Sequence, residues 1–335
     1  MKKTFVVAEL SGNHNNDFDL AIKTITAISE TGADAVKVQT YKPESLTIKS
    51  DKGYFLPRKD GIWKGYTSWE LYKKASLPYE WHAKLKQHAE DKGLIFFSSP
   101  FDKEGVDFLE TLDVPIYKIA SFEIVDISLI EYCAKKKKPM IISTGVAEID
   151  DINLAISTCQ KVGNNDITLL KCTSEYPAKI SDANILTIPD MKKRFQTKIG
   201  ISDHTMGSTV PTTAVALGAT VVEKHFILDR KLGGTDSSFS MEPKEFKEMI
   251  YKIRETEKSL GNINYDVSER NKLRRRSLFV VRDLNKGEKF TSTNVRSIRP
   301  GYGLHPKYYS EILNKISSKE IKKGTPLSWK LISKE

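Results

Sequence analysis

Eight short segments of this 335-residue chain each end in residues that could do chemistry. In order, the ends carry Glu9, followed by Asn13-His14-Asn15; Lys37 and Gln39; Ser98-Ser99; Lys118, with Ser121 and Glu123; Ser143-Thr144-Gly145; Lys171 to Ser174, with Tyr176; Ser202-Asp203-His204; and Glu223-Lys224-His225, with Asp236 beyond. Lysines supply point charge and hydroxyls supply donors, so Lys37 and Lys118 among serines suit a phosphate and a carboxylate held together. Two histidines, His204 and His225, beside Asp203 and Glu223, suit a divalent metal with open coordination positions. Imidazole alone does not choose the metal: Mn²⁺, Co²⁺, Fe²⁺ and Zn²⁺ all fit, with Mg²⁺ as an activity substitute. A surface loop explains one or two such polar ends, not eight. A Ser-His-Asp acyl-transfer site finds no support, because no GxSxG elbow is present. His82 and His88 fall in a helical stretch and read as solvated.

The elements that must position these residues follow from periodicity. Short β-branched stretches predict strands at Phe5–Leu10, Ala35–Gln39, Ile95–Ser98, Ile116–Ile119, Met140–Ser143, Ile167–Lys171, Lys198–Ser202 and Val221–His225. Helical patterns lie between most of them, clearest at 18–31, 79–92, 103–112, 148–162 and 208–217. Gly32, Gly93 and Gly218 stand where those helices should end. Pro243 opens a last helix running to about Leu260. Strands alternating with helices imply a parallel sheet, and eight within about 250 residues imply a closed (β/α)₈ TIM barrel. No GxGxxG turn follows the first strand, which weakens a dinucleotide-binding sheet. Active sites of such barrels lie at the C-terminal strand ends. Lys37 and Gln39 are two apart and share a face, as do Glu223 and His225. The segment 41–77 is long and irregular, and its aromatics argue for a lid or interface. After Gly261 the composition changes. The expected organisation is a barrel over 1–265, a linker at 266–276 and a small β-rich module at 277–335. Two Lys-Gly turns in that module, at 285–288 and 322–325, resemble each other.

Composition excludes more than it assigns. Hydrophobic residues make up 39% and charged residues 29%, an ordinary globular profile. The formal net charge of +10 is spread along the chain, so no nucleic-acid partner is expected, and an anionic small substrate accounts for a positive field. No apolar run is long enough for a membrane span. The N-terminal apolar stretch is short and meets Glu9, so it reads as a buried first strand rather than a signal peptide, and a cytoplasmic location is expected. Cys133, Cys159 and Cys172 are widely spaced and read as small buried residues in a reducing compartment.

The motifs together resemble the sialic acid (nonulosonic acid) synthase family across almost the whole chain. They are Ala8-Glu9-Leu10-Ser11-Gly12-Asn13-His14-Asn15, Val36-Lys37-Val38-Gln39-Thr40, Tyr117-Lys118-Ile119-Ala120-Ser121-Phe122-Glu123, Ile142-Ser143-Thr144-Gly145, Gly200-Ile201-Ser202-Asp203-His204-Thr205 and Glu223-Lys224-His225-Phe226. The C-terminal module resembles the family's antifreeze-like (SAF) domain, with Arg299-Pro300-Gly301 as its turn. The phrases Ala8–His14 and Gly233–Ser240 are most similar to the pseudaminic branch. The resemblance implies condensation of phosphoenolpyruvate with an amino-sugar aldehyde, 2,4-diacetamido-2,4,6-trideoxy-altrose for that branch, with phosphate lost by C–O cleavage. It also implies flagellin glycosylation as the use of the product. Glu9 is then the candidate for proton transfer or water activation, with Glu223 next and Lys118 beside them. Lys37, Ser99, Ser121, Ser143, Ser174 and Ser202 would hold phosphate and carboxylate. Gln39, Glu123, Tyr176 and Asp236 match sugar-binding positions. Ser174 departs from the Asn of the neuraminate branch. His204 and His225 would hold the metal, Mn²⁺ first, with Mg²⁺ or Co²⁺ substituting. The resemblance further implies a homodimer in which the SAF domain closes the partner's barrel and Arg299 reaches the sugar. N-acetylneuraminate or legionaminic synthesis is the alternative within the family. A metal-dependent barrel aldolase and a non-catalytic binding protein are the alternatives outside it, and neither needs a two-lysine anion site.

Overall fold

The computed structural model describes residues 3–333. The described residues up to Gly261 and those from Asn262 onward form two compact units. In the first, eight parallel strands close into a barrel in chain order: β1 (Phe5–Glu9), β2 (Ala35–Thr40), β3 (Ile95–Pro100), β4 (Tyr117–Ile119), β5 (Met140–Ser143), β6 (Ile167–Cys172), β7 (Lys198–Asp203) and β8 (Val221–His225). All eight lie within two residues of their predicted bounds. Strand β1 seals the ring, with Glu9 opposite Lys37 on one side and His225 on the other.

Alternation along each strand sorts side chains into two layers. Val7, Ala35, Phe97, Ile141, Leu170 and Val221 pack together as one apolar cluster inside the barrel. Their neighbours Val6, Val36, Phe96, Ile142, Leu169 and Val222 join the larger core beneath the helices. Gly200 is required by the inner packing: a Cβ there would sit 2.6 Å from Leu170 Cδ2 and 2.5 Å from the Val221 carbonyl. Continuing the same parity upward, the next inward positions are Glu9, Lys37, Ser99, Lys118, Ser143, Cys172, Ser202 and Glu223. The barrel is therefore apolar below and polar at its C-terminal end.

The connecting helices start where short polar side chains cap them. Asp17 accepts from the Leu20 amide, Asp102 from Gly105 and Asp126 from Leu129. Pro243 occupies the first turn of helix Pro243–Leu260. Gly32, Gly93 and Gly218 take left-handed backbone angles (φ +87°, +78° and +101°) just past their helices. The segment 41–77 is more regular than expected, containing helices Pro43–Leu46 and Ser68–Ala75.

The second unit holds an antiparallel pair, β9 (Ser277–Val280) and β10 (Val295–Ile298), over its own core of Leu278, Val280, Phe290, Val295, Ile312 and Leu327. The residues just before the two Lys-Gly turns pair: Leu284 and Ile321 exchange backbone hydrogen bonds at 2.9 Å each way, while the turns themselves bond to Ser317 and Val280. Gly287 and Gly324 both take positive φ (+83°, +87°). Among the described residues, no helix is long and apolar enough to cross a membrane.

Candidate active site

The inward-facing polar residues meet in one buried charge network. Lys37 Nζ lies 2.6 Å from Glu9 Oε2 and 3.9 Å from Glu223 Oε1, and Lys118 Nζ lies 3.7 Å from that same Glu223 oxygen. Ser202 donates to Glu223 Oε1 (3.1 Å), Lys37 donates to Ser99 Oγ (3.4 Å), and Gln39 Nε2 donates to Glu9 Oε1 (3.0 Å). Burial disfavours charge on every member, and the neighbours decide the outcome. Burial keeps the Glu9 carboxyl above its usual range despite Lys37. For Glu223, burial is outweighed by Lys118 and Lys37, and its carboxyl falls below the usual range. Burial lowers Lys118, whereas Glu223 and Glu9 more than offset burial and raise Lys37. Two carboxylates pushed in opposite directions within one coupled network are the pattern that divides acid from base.

Beside this network the chain offers hydroxyls and a bare backbone. Gly145 donates its amide to Ser121 Oγ at 3.2 Å. A Cβ at Gly145 would fall 2.1 Å from Ser174 Oγ and 2.8 Å from Ser121 Oγ, so glycine is what lets β5's end approach. Ser143 Oγ and Glu123 Oε2 are buried without a hydrogen-bond partner. Burial pushes the Glu123 carboxyl up to about 7. Orphaned buried polar atoms are costly, and in a cleft they mark places a ligand completes.

Across the barrel mouth, the His204 and His225 rings stand 5.2 Å apart. His204 Nδ1 bonds the Thr173 carbonyl at 2.9 Å, which leaves Nε2 for another partner. His225 Nδ1 is buried without a hydrogen bond, 3.6 Å from Asp236 Oδ2. Burial, followed by the cationic neighbours, holds His225 well below its ordinary pKa, so it is a neutral imidazole. Among the described residues, no group of three or more His, Cys, Asp or Glu side chains forms a closed cation site. Two imidazoles with an orphaned nitrogen and a nearby carboxylate fit a cation whose remaining positions belong to substrate and water. Tyr176 lies 4.4 Å from His204 by ring centroids, and Phe239 stands edge-on to both histidines.

The structure thus brings together Glu9, Lys37, Gln39, Ser99, Lys118, Ser202 and Glu223, with Ser121 and Ser174 around Gly145, the buried Ser143 and Glu123 on the neighbouring strand ends, and Tyr176, His204, His225 and Asp236 as a third group. Arg299 is exposed in the second unit. Three expectations need correction. Asp203 does not stand beside the histidines as a cation ligand; it faces outward and binds Lys224 at 2.5 Å. His82 is not solvated: it is fully buried, with Nε2 2.8 Å from Thr40 Oγ1. His88 is half-buried and bonds Thr26 Oγ1 at 2.8 Å. Cys172 is buried as expected, but it sits at the site, with Sγ 3.8 Å from His204 Nδ1. Burial would raise its thiol, yet His204 and nearby serine hydroxyls pull it down to about 7. Sequence reading missed Ser11, which donates to Asp236 Oδ2 at 2.5 Å, and Phe239; Trp63 was expected only as one of the lid or interface aromatics of 41–77. Ser11 was visible as the second residue after Glu9; Trp63 and Phe239 come from irregular segments without periodicity.

A parallel eight-stranded barrel whose mouth joins a buried lysine–serine layer to an imidazole pair has the layout of a barrel enzyme with its active site at the C-terminal strand ends. The chain belongs to the NeuB family, whose profile matches residues 24–265, and residues 275–333 match the SAF domain. It is 48% identical over 327 residues to a pseudaminic acid synthase of Helicobacter pylori, covering 96% of each chain. It is 45% identical over 329 residues to a pseudaminic acid synthase of Campylobacter jejuni, covering 97% of this chain and 96% of the relative. A solved N-acetylneuraminic acid synthetase of Leptospira borgpetersenii, in complex with citrate, superposes with a TM-score of 0.73 at 31% identity, covering 81% of this chain and 89% of that one.

Proposed function

We propose that this chain is a transferase that condenses phosphoenolpyruvate with 2,4-diacetamido-2,4,6-trideoxy-β-L-altrose and water to give pseudaminic acid and inorganic phosphate. The observation that carries the reading is the buried Glu9–Lys37–Glu223–Lys118 network beside two imidazoles, in a chain similar to pseudaminic acid synthases over nearly its full length. Carbon 3 of phosphoenolpyruvate attacks the aldehyde carbon, and the aldehyde oxygen takes a proton. Water adds to the cationic C2, its proton leaves, and the C–O bond to phosphate breaks, leaving the 2-keto acid.

Lys37 and Lys118, with Ser99, Ser121, Ser143, Ser174 and Ser202, hold the phosphate and carboxylate. Holding both reactants at one site can supply up to about 7–11 kcal/mol of the barrel's advantage over solution. Glu9, kept protonatable by burial, is suited to proton transfer, while Glu223 stays ionised and steadies the developing positive charge at C2. Gln39, Glu123, Tyr176 and Asp236 contact the sugar. A divalent cation on His204 and His225, Mn²⁺ first with Mg²⁺ or Co²⁺ substituting, would supply Lewis-acid charge at the aldehyde oxygen. The barrel of residues 1–265 does the chemistry. The module 277–335, joined by 266–276, closes the barrel of a second copy, and Arg299 of the partner subunit reaches the sugar. The reaction is cytoplasmic in this reading, and its product serves flagellin glycosylation.

The test is phosphate release from phosphoenolpyruvate with Mn²⁺ and each of three sugars: N-acetylmannosamine, the legionaminic precursor and the altrose derivative. The reading expects fastest release with the altrose derivative. Fastest release with another sugar moves the chain to a different branch, and none with any sugar overturns the condensation.

A further inference from the structure

We infer that Trp63, on the segment between β2 and β3, is a specificity-determining residue that forms a wall of the sugar subsite. The inference rests on the proposed condensation, because it names which part of that site reads the sugar. Nothing in the spacing of strand ends pointed to residue 63; four observations do.

First, Trp63 is carried on a loop that closes on itself. Arg58 and Tyr66 pair through the backbone, the Arg58 amide donating to the Tyr66 carbonyl at 2.9 Å and the Gly65 amide donating back to Arg58 at 2.9 Å. Gly61 and Gly65 turn that loop with φ of +75° and +88°. The Arg58 guanidinium lies 5.3 Å from the Trp63 ring, a cation–π contact that steadies the indole from behind. The loop therefore presents Trp63 as a preorganised group rather than a trailing side chain.

Second, the indole reaches the site from two sides. Its Nε1 donates to the Thr235 carbonyl at 2.8 Å, one residue before Asp236. Its ring meets Tyr176 at 5.6 Å, tilted by 50°. Tyr176 in turn lies 4.4 Å from His204 and 5.1 Å from Phe239. Trp63 thus ties the β8 loop that carries Asp236 to the β6 loop that carries Tyr176.

Third, Trp63 is half-buried, so part of its surface stays accessible, whereas Lys37 and Lys118 are sealed from solvent. Fourth, the chemistry of this rim differs from that of the floor. The floor is lysines, serines and carboxylates, suited to phosphate and carboxylate. The rim of Trp63 and Tyr176, backed by the buried Phe239, is flat and apolar, with one carboxylate, Asp236, beside it. A sugar with two acetamido methyls and a deoxy C6 methyl offers aromatic faces more apolar surface than N-acetylmannosamine, which has one acetamido methyl and a C6 hydroxyl. A methyl-sized difference in such a pocket discriminates by about 10–200-fold.

The test compares wild type, Trp63→Ala and Trp63→Phe with the altrose derivative and N-acetylmannosamine, measuring KM for sugar and for phosphoenolpyruvate, kcat, and the melting temperature. The expected result is at least a tenfold rise in sugar KM for Trp63→Ala with phosphoenolpyruvate KM within twofold, and a loss of preference for the altrose derivative of similar size. Trp63→Phe, which keeps a ring but loses the Nε1 donor, should fall between. An unchanged sugar preference in both variants overturns the inference. So does an equal rise in both KM values, which is what loosening of the whole barrel mouth would produce. If Trp63→Ala does not fold, Trp63→Phe decides alone by the same two criteria. Wild type that turns over a different sugar would refute the proposed substrate, not the wall; the same ratios would then be read with that sugar.

Discussion

Strands β7 and β8 carry charged groups on both faces, and the two faces are finished differently. Outward, beneath the helices, Lys224 and Asp203 form an ion pair at 2.5 Å with both side chains almost fully buried. Asp203 also accepts from the Thr205 amide (3.0 Å) and hydroxyl (3.1 Å), and Lys224 donates to the Thr205 carbonyl. Each charge there is answered. Inward, one residue away on the same strands, Glu223 Oε2 and His225 Nδ1 are buried without hydrogen-bond partners, and Ser143 Oγ is orphaned across the barrel. Buried charge is tolerable when paired and hydrogen-bonded, and expensive when not. The outward pair belongs to the scaffold and holds the strand ends that carry His204 and His225. The inward set is incomplete without a ligand, which is how a functional site departs from a structural one.

Substitutions on the two faces should therefore separate function from stability. On the inward face, Lys118→Ala should lower kcat/KM for phosphoenolpyruvate on the order of 10³-fold, the scale of losing one electrostatic contact to a reacting group. Its melting temperature should fall by less than that of Lys224→Met, because burial disfavours the Lys118 cation and Glu223 keeps Lys37 as a neighbour. A large loss of stability with little loss of rate would erase the distinction. On the outward face, Lys224→Met should destabilise by about 3–5 kcal/mol by leaving Asp203 buried and unpaired, measured by denaturant unfolding. Lys224→Met with Asp203→Asn should recover much of that loss. Among the inward set, Glu123 provides a smaller test. Its carboxyl titrates near 7 when folded and near 4.5 in the unfolded chain. The folded state thus binds the proton more tightly. The resulting stability is full below about pH 4.5 and is lost as pH rises through about 7. Glu123→Gln should flatten that part of the melting-temperature profile between pH 4.5 and 8.

Much of this contrast was legible in the sequence, because strand parity is rigid. Glu9, Lys37, Ser99, Lys118 and Glu223 share the inward face with the apolar residues two positions earlier, and the eight strand ends announced themselves by composition. The same parity rule would have turned Asp203 outward once Ser202 was placed inward. His82 was legible too: His82, Leu85 and Ala89 follow helical spacing and are all buried, so the histidine lies on the core face. The partners of Trp63 and Phe239 were not legible, although Trp63 is one of the aromatics that marked 41–77 as a lid or interface. Both residues sit on segments without period, and their role comes from contacts with Thr235, Tyr176, His204 and His225 that lie far away in the chain. The pairing of Leu284 with Ile321, just before the two Lys-Gly turns, was visible only as likeness of those turns, because register between distant segments is set by packing rather than by local sequence.

The most direct test of the central claim follows the oxygen atoms. Phosphoenolpyruvate labelled with ¹⁸O at the bridging C2–O position is turned over with the altrose derivative and Mn²⁺ in unlabelled water, and both products are analysed by mass spectrometry. Attack of water at C2 with C–O cleavage predicts the label in inorganic phosphate and none at C2 of the nine-carbon keto acid. Label retained at C2, with unlabelled phosphate, would mean that water attacks phosphorus, and would contradict the proposed roles of Glu9, Glu223 and the two lysines.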